Sequence, residues 1–170
     1  MPLLSELSRK NKIALLDQHL KPASSVLEIG TGSGWCAAHL RSAGHRVATI
    51  DLVEPADIVG DIPDWRKLGL RPDSFDAVIA FEVVEHVDCT AAIGQLCRPD
   101  GLIFLSSPHP RWDWVMQILE AAGLNQRRTS PHDHLVDFRT LPFDPIRLRR
   151  PAWIHQPAVF RNPPRREELA

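Results

Sequence analysis

Residues 26–34 read Val-Leu-Glu-Ile-Gly-Thr-Gly-Ser-Gly, an apolar run with one acid, followed by glycine at every second position. The apolar residues suit a buried strand, and glycine permits the sharp turn and close ligand approach that a Cβ would block. Residues 35–43 can continue as a helix whose free N-terminal amides face whatever lies over the loop. A strand, a glycine loop and a helix in this order predict a nucleotide-type pocket at the carboxyl edge of a parallel sheet.

The residues around this loop narrow the type of ligand. The dinucleotide fingerprint requires a third glycine at the position where this chain has Trp35. Glu28 would repel a diphosphate but would accept a cationic group, and Asp51, about 20 residues after the loop, is placed to bind ribose hydroxyls. The pattern favours S-adenosylmethionine, a ribose-bearing cation without phosphate, and leaves NAD as the rival.

Five segments over about residues 24–125 resemble, in order, the motifs of the class I S-adenosylmethionine-dependent methyltransferases. They are Val-Leu-Glu-Ile-Gly-Thr-Gly-Ser-Gly at 26–34, Thr-Ile-Asp-Leu at 49–52, Gly-Asp-Ile at 60–62, Phe-Asp-Ala-Val-Ile-Ala-Phe-Glu at 75–82, and Arg-Pro-Asp-Gly-Leu-Ile-Phe-Leu at 98–105. The resemblance implies that Asp51 binds the ribose, Leu52 lies beside the adenine and Asp61 reaches the adenine amino group. The cofactor-binding residues it implies are Glu28, Gly30, Gly32, Gly34, Asp51, Leu52, Asp61, Ile62 and Phe81.

Strand and helix patterns alternate along the chain, which predicts an α/β fold with a doubly wound, mostly parallel sheet. The resemblance extends this to a Rossmann-like sheet of seven strands that ends in an antiparallel C-terminal hairpin. We expect helices at 5–20, 34–43, 64–68, 89–97 and 111–122, with a shortened one around 140–143. We expect strands at 26–30, 46–51, 75–81, 101–106, 146–154 and 157–161, and a short turn near 55–60.

Length and composition limit the organisation and the class of partner. The 170 residues, 44% of them hydrophobic, predict a single domain over 1–162 followed by a flexible tail over 163–170. The net charge of −1 does not by itself direct the chain to nucleic acid or membrane. From residue 127 onward, however, nine arginines face five acids, which fits either a solvated surface or a cradle for an anionic or polynucleotide substrate.

The three cysteines (Cys36, Cys89 and Cys97) form no Cys-x-x-Cys motif. They fit a reducing, cytoplasmic location in which cysteine acts as a small apolar residue. We expect no signal peptide and no membrane insertion, since no apolar stretch is long enough. The chain is short for the resembling family. We therefore expect an active site that is open, or one that is completed by the N-terminal helix, a second copy in a homodimer or a macromolecular substrate.

Possible metal ligands cluster after the strand predicted at 75–81. Glu82, Glu85 and His86 lie within five residues, and His132 and His134 follow much later. Carboxylates with neutral imidazoles suit a divalent cation, which could lower the pKa of an attacking hydroxyl. These two segments resemble the Glu-x-x-Glu-His and His-Asp-His segments of the small-RNA 3′-terminal 2′-O-methyltransferases. That resemblance implies Mg²⁺ or another divalent cation held by Glu82, Glu85, His86 and His134, the last preferred to His132.

Two histidines are candidates for catalysis without a metal. His86 is positioned to act as a general base, although a packing role is the alternative. His109 follows the strand predicted at 101–106, so topology places it near the site, where it either contacts substrate or shapes a proline-rich turn.

The acceptor follows from what the strand at 75–81 lacks. It has no Asn/Asp-Pro-Pro-aromatic motif, which in the resembling family serves amino methylation. Its absence favours an oxygen acceptor, or a carbon acceptor, over such nitrogen targets, and our first expectation is O-methylation of a small-molecule or glycan hydroxyl. The alternatives are an RNA 2′-hydroxyl acceptor and an inactive methyltransferase-like subunit that stabilises a partner.

Overall fold

The computed structural model describes residues 3–107, 137–148 and 157–165. Within them, the helices are α1 (Leu3–His19), α2 (Trp35–Ser42) and α3 (Thr90–Leu96), with a 3-10 helix at Ile62–Asp64. The strands are β1 (Ser25–Ile29), β2 (Arg46–Asp51), β3 (Ile58–Val59), β4 (Phe75–Phe81), β5 (Cys97–Ser106), β6 (Asp144–Leu148) and β7 (Ala158–Arg161). None of the helices in these ranges has the length and apolar character needed to cross a membrane.

The seven strands form one sheet in the order β3-β2-β1-β4-β5-β7-β6. Strands β1 to β5 run parallel to one another, whereas β7 pairs antiparallel with both β5 and β6. The predicted α/β fold class, including the antiparallel C-terminal strands, is confirmed.

Alternating side chains of the central strands enter two cores, one on each face of the sheet. Val26 of β1 packs with α1 and α2, while the next residue, Leu27, packs with α3 on the opposite face. Both side chains are fully buried. This alternation is the two-residue period of a strand covered on both faces, and it leaves the strand ends to carry the polar groups.

The link between β2 and β3 is short for a connection between parallel strands. Parallel neighbours are usually joined through a helix of a dozen or more residues, but here residues 52–57 make the connection. Asp57 Oδ2 accepts hydrogen bonds from Thr49 N at 2.8 Å, from Thr49 Oγ1 at 2.9 Å and from the Arg41 guanidinium at 2.6 Å. This network fastens the short link to β2 and α2.

Several predicted boundaries differ from the structure. Residues 58–59 form β3 where a turn was expected near 55–60, because Ile58 pairs with Ile50 of β2. Residues 140–143 form bends and no helix. The short helix expected at 64–68 lies earlier, as the 3-10 helix. Strand β6 begins at Asp144, while the helix expected at 111–122 and the rest of the strand expected at 146–154 lie outside the described residues.

Candidate active site

The carboxyl ends of four parallel strands meet at one edge of the sheet, as a doubly wound topology requires. Gly30 follows β1, Asp51 ends β2, Glu82 follows β4 and Ser106 ends β5. Backbone hydrogen bonds join these ends in pairs, since Gly30 N donates to the carbonyl of Ile50 at 2.9 Å and Glu82 N donates to the carbonyl of Ser106 at 2.8 Å. The sequence therefore brings its motif residues together at a single edge.

The glycine loop after β1 has the backbone that the sequence predicts. Gly30, Gly32 and Gly34 have φ values of 77°, 50° and 72°, a region that glycine enters at little cost. A Cβ at Gly30 would collide with the γ-methyl of Val83. The loop therefore also depends on glycine for its close contact with the segment after β4.

Asp51 lies against this loop. Its Oδ2 atom accepts a hydrogen bond from Gly32 N at 3.2 Å. The neighbouring Leu52 is 68% exposed and Asp61 is exposed, so both are available to a ligand over the edge. Ile62, in contrast, is buried in the core with α3, so its side chain supports this region from beneath.

Glu28 lies below the loop and is buried. Burial raises the pKa of its carboxyl group to about 7, against the opposing effect of hydrogen bonds from the backbone N–H of Ala37 and the thiol of Cys36. Its Oε2 atom has no hydrogen-bond partner among the described residues. One oxygen therefore caps the first turn of α2, where a carboxylate is favourable, and the other keeps an unsatisfied acceptor at the glycine loop.

Lys12 of α1 is a site residue that the sequence did not reveal. Its Nζ atom lies 2.8 Å from Glu82 Oε1, and Ser106 Oγ donates to the same oxygen at 2.6 Å. The Lys12 side chain is only 11% exposed. Lys12 shares a helix face with the buried Leu15 and Leu16, because residues three and four apart are neighbours. The one feature of the sequence that could have revealed this residue is a lysine on an otherwise apolar helix face.

Two aromatic side chains connect α1 to the same edge. The rings of Trp35 and Phe81 are stacked, with centroids 6.2 Å apart and planes within 3°. Arg9 lies over Trp35 at 5.3 Å and Lys12 over Phe81 at 5.1 Å. Cation–π contacts of this kind stabilise α1 against the loop and the end of β4.

The turn after β4 carries the other predicted chemistry. Glu85 is 1% exposed, and burial together with the neighbouring charge of Glu82 raises the pKa of its carboxyl group to about 8. Its Oε2 atom has no hydrogen-bond partner among the described residues. His86 is exposed on the same turn, which is closed by its N–H donating to the carbonyl of Val83 at 2.8 Å.

The predicted metal ligands are only partly placed. Over residues 3–107, 137–148 and 157–165, no three His, Cys, Asp or Glu side chains are grouped so that they could hold a metal ion. His109, His132 and His134 lie outside the described residues. Metal binding therefore remains a prediction.

Comparison with known proteins identifies the family. The profile of a family described as "Methyltransferase domain" matches residues 4–141. The ubiquinone biosynthesis O-methyltransferase of Dechloromonas aromatica is 31% identical over 115 residues, which cover 56% of this chain and 50% of that protein. The protein of the same name from Ralstonia nicotianae is 28% identical over 153 residues, which cover 73% of this chain and 64% of that protein. The chain thus spans about half to two thirds of the length of these curated relatives.

Solved structures share the fold at low sequence identity. A methyltransferase in complex with the Trm112 methyltransferase activator of Haloferax volcanii has a TM-score of 0.67 at 16% identity, covering 91% of this chain and 88% of that one. The 1,6-didemethyltoxoflavin-N1-methyltransferase of Burkholderia thailandensis, with bound S-adenosylhomocysteine, has a TM-score of 0.58 at 21% identity. The match covers 91% of this chain and 77% of that one. The family predicted from the five motifs is confirmed.

Proposed function

We infer, because the chain belongs to the family of methyltransferase domains, that it transfers a methyl group from S-adenosylmethionine to a hydroxyl oxygen of a small molecule. One observation carries this proposal: a glycine loop, a buried acid and a second acid converge at the carboxyl edge of the sheet. Glu28 lies under the loop and Asp51 is fastened to Gly32. We also propose, from the three buried free cysteines, that the protein works in the cytoplasm.

The residues present fit this donor. The unsatisfied buried oxygen of Glu28 suits a cationic ligand, and the exposed Leu52 offers an apolar surface for a base next to Asp51. When bound, S-adenosylmethionine supplies an activated methyl group, so that an O–CH₃ bond forms as the S–CH₃ bond breaks and its electron pair stays on sulfur.

The turn after β4 handles the acceptor proton in this proposal. His86 is exposed on that turn, and in this proposal its imidazole takes the proton of the acceptor hydroxyl as general base. Stacked Trp35 and Phe81, covered by α1, exclude water on one side of the site. His109, which lies outside the described residues, remains a candidate for contact with the acceptor.

The acceptor class rests on the curated relatives. Two proteins named ubiquinone biosynthesis O-methyltransferase match this chain, which favours an oxygen acceptor on a small molecule over a glycan or an RNA 2′-hydroxyl. The neighbour in complex with an activator keeps a partner-dependent or inactive subunit as the competing hypothesis. A homodimer remains a further prediction, which light scattering tests.

A divalent cation at Glu82, Glu85, His86 and His134 is the alternative means of activating the acceptor. In the described part of the chain, Glu82 Oε1 already accepts from Lys12 and Ser106. A chelator distinguishes the two routes, since only a metal-assisted reaction loses its rate in EDTA.

The proposal is tested with the purified chain and labelled S-adenosylmethionine. Catechols, phenols, glycans and short RNAs serve as acceptors, each with and without EDTA. We expect methylation of a phenolic or catecholic hydroxyl and micromolar binding of S-adenosylhomocysteine by calorimetry. His86→Ala should lower kcat by about 10²-fold or more, whereas His39→Ala, which removes a side chain paired with Asp17, should not. Absence of S-adenosylhomocysteine binding would favour the inactive subunit.

A further inference from the structure

We propose that Lys12 is the cation of this active site and that its ammonium group, in the position on Glu82 where a metal ion was predicted, faces the acceptor oxygen. The inference rests on the proposed methyl transfer and goes beyond it, because it assigns an unsuspected residue to the acceptor side. Lys12 and Glu82 are 70 residues apart in the sequence, so no short sequence motif contains both residues.

Glu82 is held in a strained backbone conformation at the end of β4. It directly follows β4 and has a left-handed φ of 57°, a conformation that costs energy in a residue other than glycine and persists where surrounding contacts enforce it. Among the contacts of its carboxylate are the ammonium of Lys12 and the hydroxyl of Ser106, at 2.8 and 2.6 Å from Oε1, and a side-chain hydrogen bond with Glu85. The side chain of Glu82 is 33% exposed, so this assembly borders the open edge of the sheet.

Lys12 lies in a largely buried, apolar environment. Its side chain is 11% exposed, runs over the ring of Phe81 and continues an apolar face of α1. Lysine is almost never buried unless it is paired, and an exposed lysine would gain little from an ion pair. Burial on one carboxylate therefore marks Lys12 as a fixed charge, held in place by α1 and Phe81.

A metal ion and the ammonium of Lys12 would compete for the same oxygen of Glu82. A divalent cation that used Oε1 would displace both the ammonium and the Ser106 hydroxyl, and it would be repelled by the remaining positive charge of Lys12. In the ranges that the structure describes, no three acidic, histidine or cysteine side chains are grouped for a metal ion. The observed contacts favour the ammonium at this carboxylate.

In this proposal Lys12 acts as a hydrogen-bond donor and exchanges no proton with the acceptor. An ammonium carries three N–H donors, of which the described structure assigns one to Glu82. The others can donate to the acceptor oxygen and stabilise the negative charge that grows on it. During transfer the acceptor oxygen forms its bond to the methyl carbon, the S–CH₃ electron pair stays on sulfur, and the acceptor proton passes to His86.

The test compares the wild type with Lys12→Met, Lys12→Arg and the control Lys10→Met, whose side chain is exposed on the same helix. Three quantities are measured: Mn²⁺ binding by electron paramagnetic resonance, S-adenosylhomocysteine affinity by calorimetry, and kcat with and without EDTA. We expect no stoichiometric Mn²⁺ binding to the wild type and a kcat that EDTA leaves unchanged. We expect Lys12→Met to lose about 10²-fold in kcat while its S-adenosylhomocysteine affinity stays within about twofold, Lys12→Arg to recover part of the rate, and Lys10→Met to match the wild type.

One Mn²⁺ bound per wild-type chain, loss of the wild-type rate in EDTA, or an unchanged kcat in Lys12→Met would each overturn the inference. The Mn²⁺ measurement needs neither an acceptor nor a folded variant. If no hydroxyl compound is methylated, the proposed function fails separately, and Mn²⁺ binding still decides whether a metal occupies Glu82.

Discussion

The carboxylate of Asp51 at the end of β2 accepts a hydrogen bond from the backbone N–H of Gly32, with Oδ2 and N 3.2 Å apart. Two neighbouring strand ends are thereby tied together across the mouth of the proposed cofactor site. In the proposed complex Asp51 also accepts hydrogen bonds from the ribose hydroxyls, so one side chain both shapes the loop and contacts the ligand.

Asp51→Ala should therefore weaken the binding of S-adenosylhomocysteine more than the loss of a single ligand contact would. We expect the dissociation constant to rise by about 10- to 100-fold, equivalent to about 1.4 to 2.8 kcal/mol, as measured by calorimetry. Glu54→Ala is the matched control, because Glu54 is an exposed acid on the same link. Equal weakening by the two variants would count against a direct role for Asp51.

Glu28 makes stability depend on pH in a direction opposite to that of most carboxylates. Its pKa is raised from 4.5 to about 7 in the folded chain, so the folded state retains a proton that the unfolded state releases. The contribution of Glu28 to stability is therefore greatest below pH 4.5, decreases as pH rises toward 7 and is level above it. This shift corresponds to about 3 kcal/mol.

Glu28→Gln should remove that component. Chemical denaturation between pH 4.5 and 8 is expected to show the variant gaining about 3 kcal/mol relative to the wild type as pH rises. The comparison is made as a difference between the two proteins, so that the raised pKa of Glu85 cancels. A difference independent of pH would show that Glu28 does not carry the proton.

The same carboxyl group predicts how cofactor binding responds to pH. A cation beside Glu28 favours the ionised form, so binding of S-adenosylmethionine below pH 7 should release a proton. We expect the affinity to fall by up to about tenfold for each pH unit below about 7. Calorimetry in buffers of different ionisation enthalpy counts the protons. S-adenosylhomocysteine, which lacks the sulfonium charge, should show a smaller dependence, and Glu28→Gln should show little with either ligand.

The sequence predicted the elements whose signals are local. The glycines at 30, 32 and 34, the acids at 28 and 51 and the parallel order of the strands each follow from spacing and residue type within a short window. Residues in such windows reach the same sheet edge because parallel strands share one direction. Local signals of this kind account for the residues of the proposed cofactor site and for most of the fold.

The parts that were missed depend on contacts between distant segments. Lys12 reaches Glu82 across 70 residues, and β3 forms by pairing of Ile58 with Ile50, next to the contacts of Asp57 with Thr49 and Arg41. Ile62 follows an acidic motif residue but is turned into the core. None of these follows from periodicity, since the partner of each side chain is set by tertiary packing.

Gly30→Ala tests the close contact between the glycine loop and the segment after β4. A left-handed residue with a Cβ costs about 1 kcal/mol, and at Gly30 the Cβ also collides with Val83. Gly69→Ala is the matched control, because Gly69 has a similar φ of 80° and nothing within 4 Å of its Cβ position. We expect Gly30→Ala to lose about 1 to 3 kcal/mol more than Gly69→Ala.

The collision itself is isolated with a second change. Combining Gly30→Ala with Val83→Ala should recover most of that additional loss, as a non-additive coupling between contacting residues. Denaturant titration of the four proteins in the cycle measures it. Simple additivity would mean that the two segments move apart without cost.

Asp57→Ala tests whether the short link between β2 and β3 holds the adenine side of the proposed site. Asp57 accepts three hydrogen bonds from Thr49 and Arg41, and its own N–H donates to Thr49 Oγ1 at 2.8 Å. Removing the carboxylate leaves the partly buried N–H and hydroxyl of Thr49 without their acceptor, at a cost of about 1 to 3 kcal/mol. We expect that loss in denaturant titration, together with weaker S-adenosylhomocysteine binding, because the link begins next to Asp51. Asp64→Ala, which removes an exposed acid paired with Lys67 three residues away, should change stability by no more than about 0.5 kcal/mol. Equal stability of the two variants would mean that the link keeps its position without the Asp57 network.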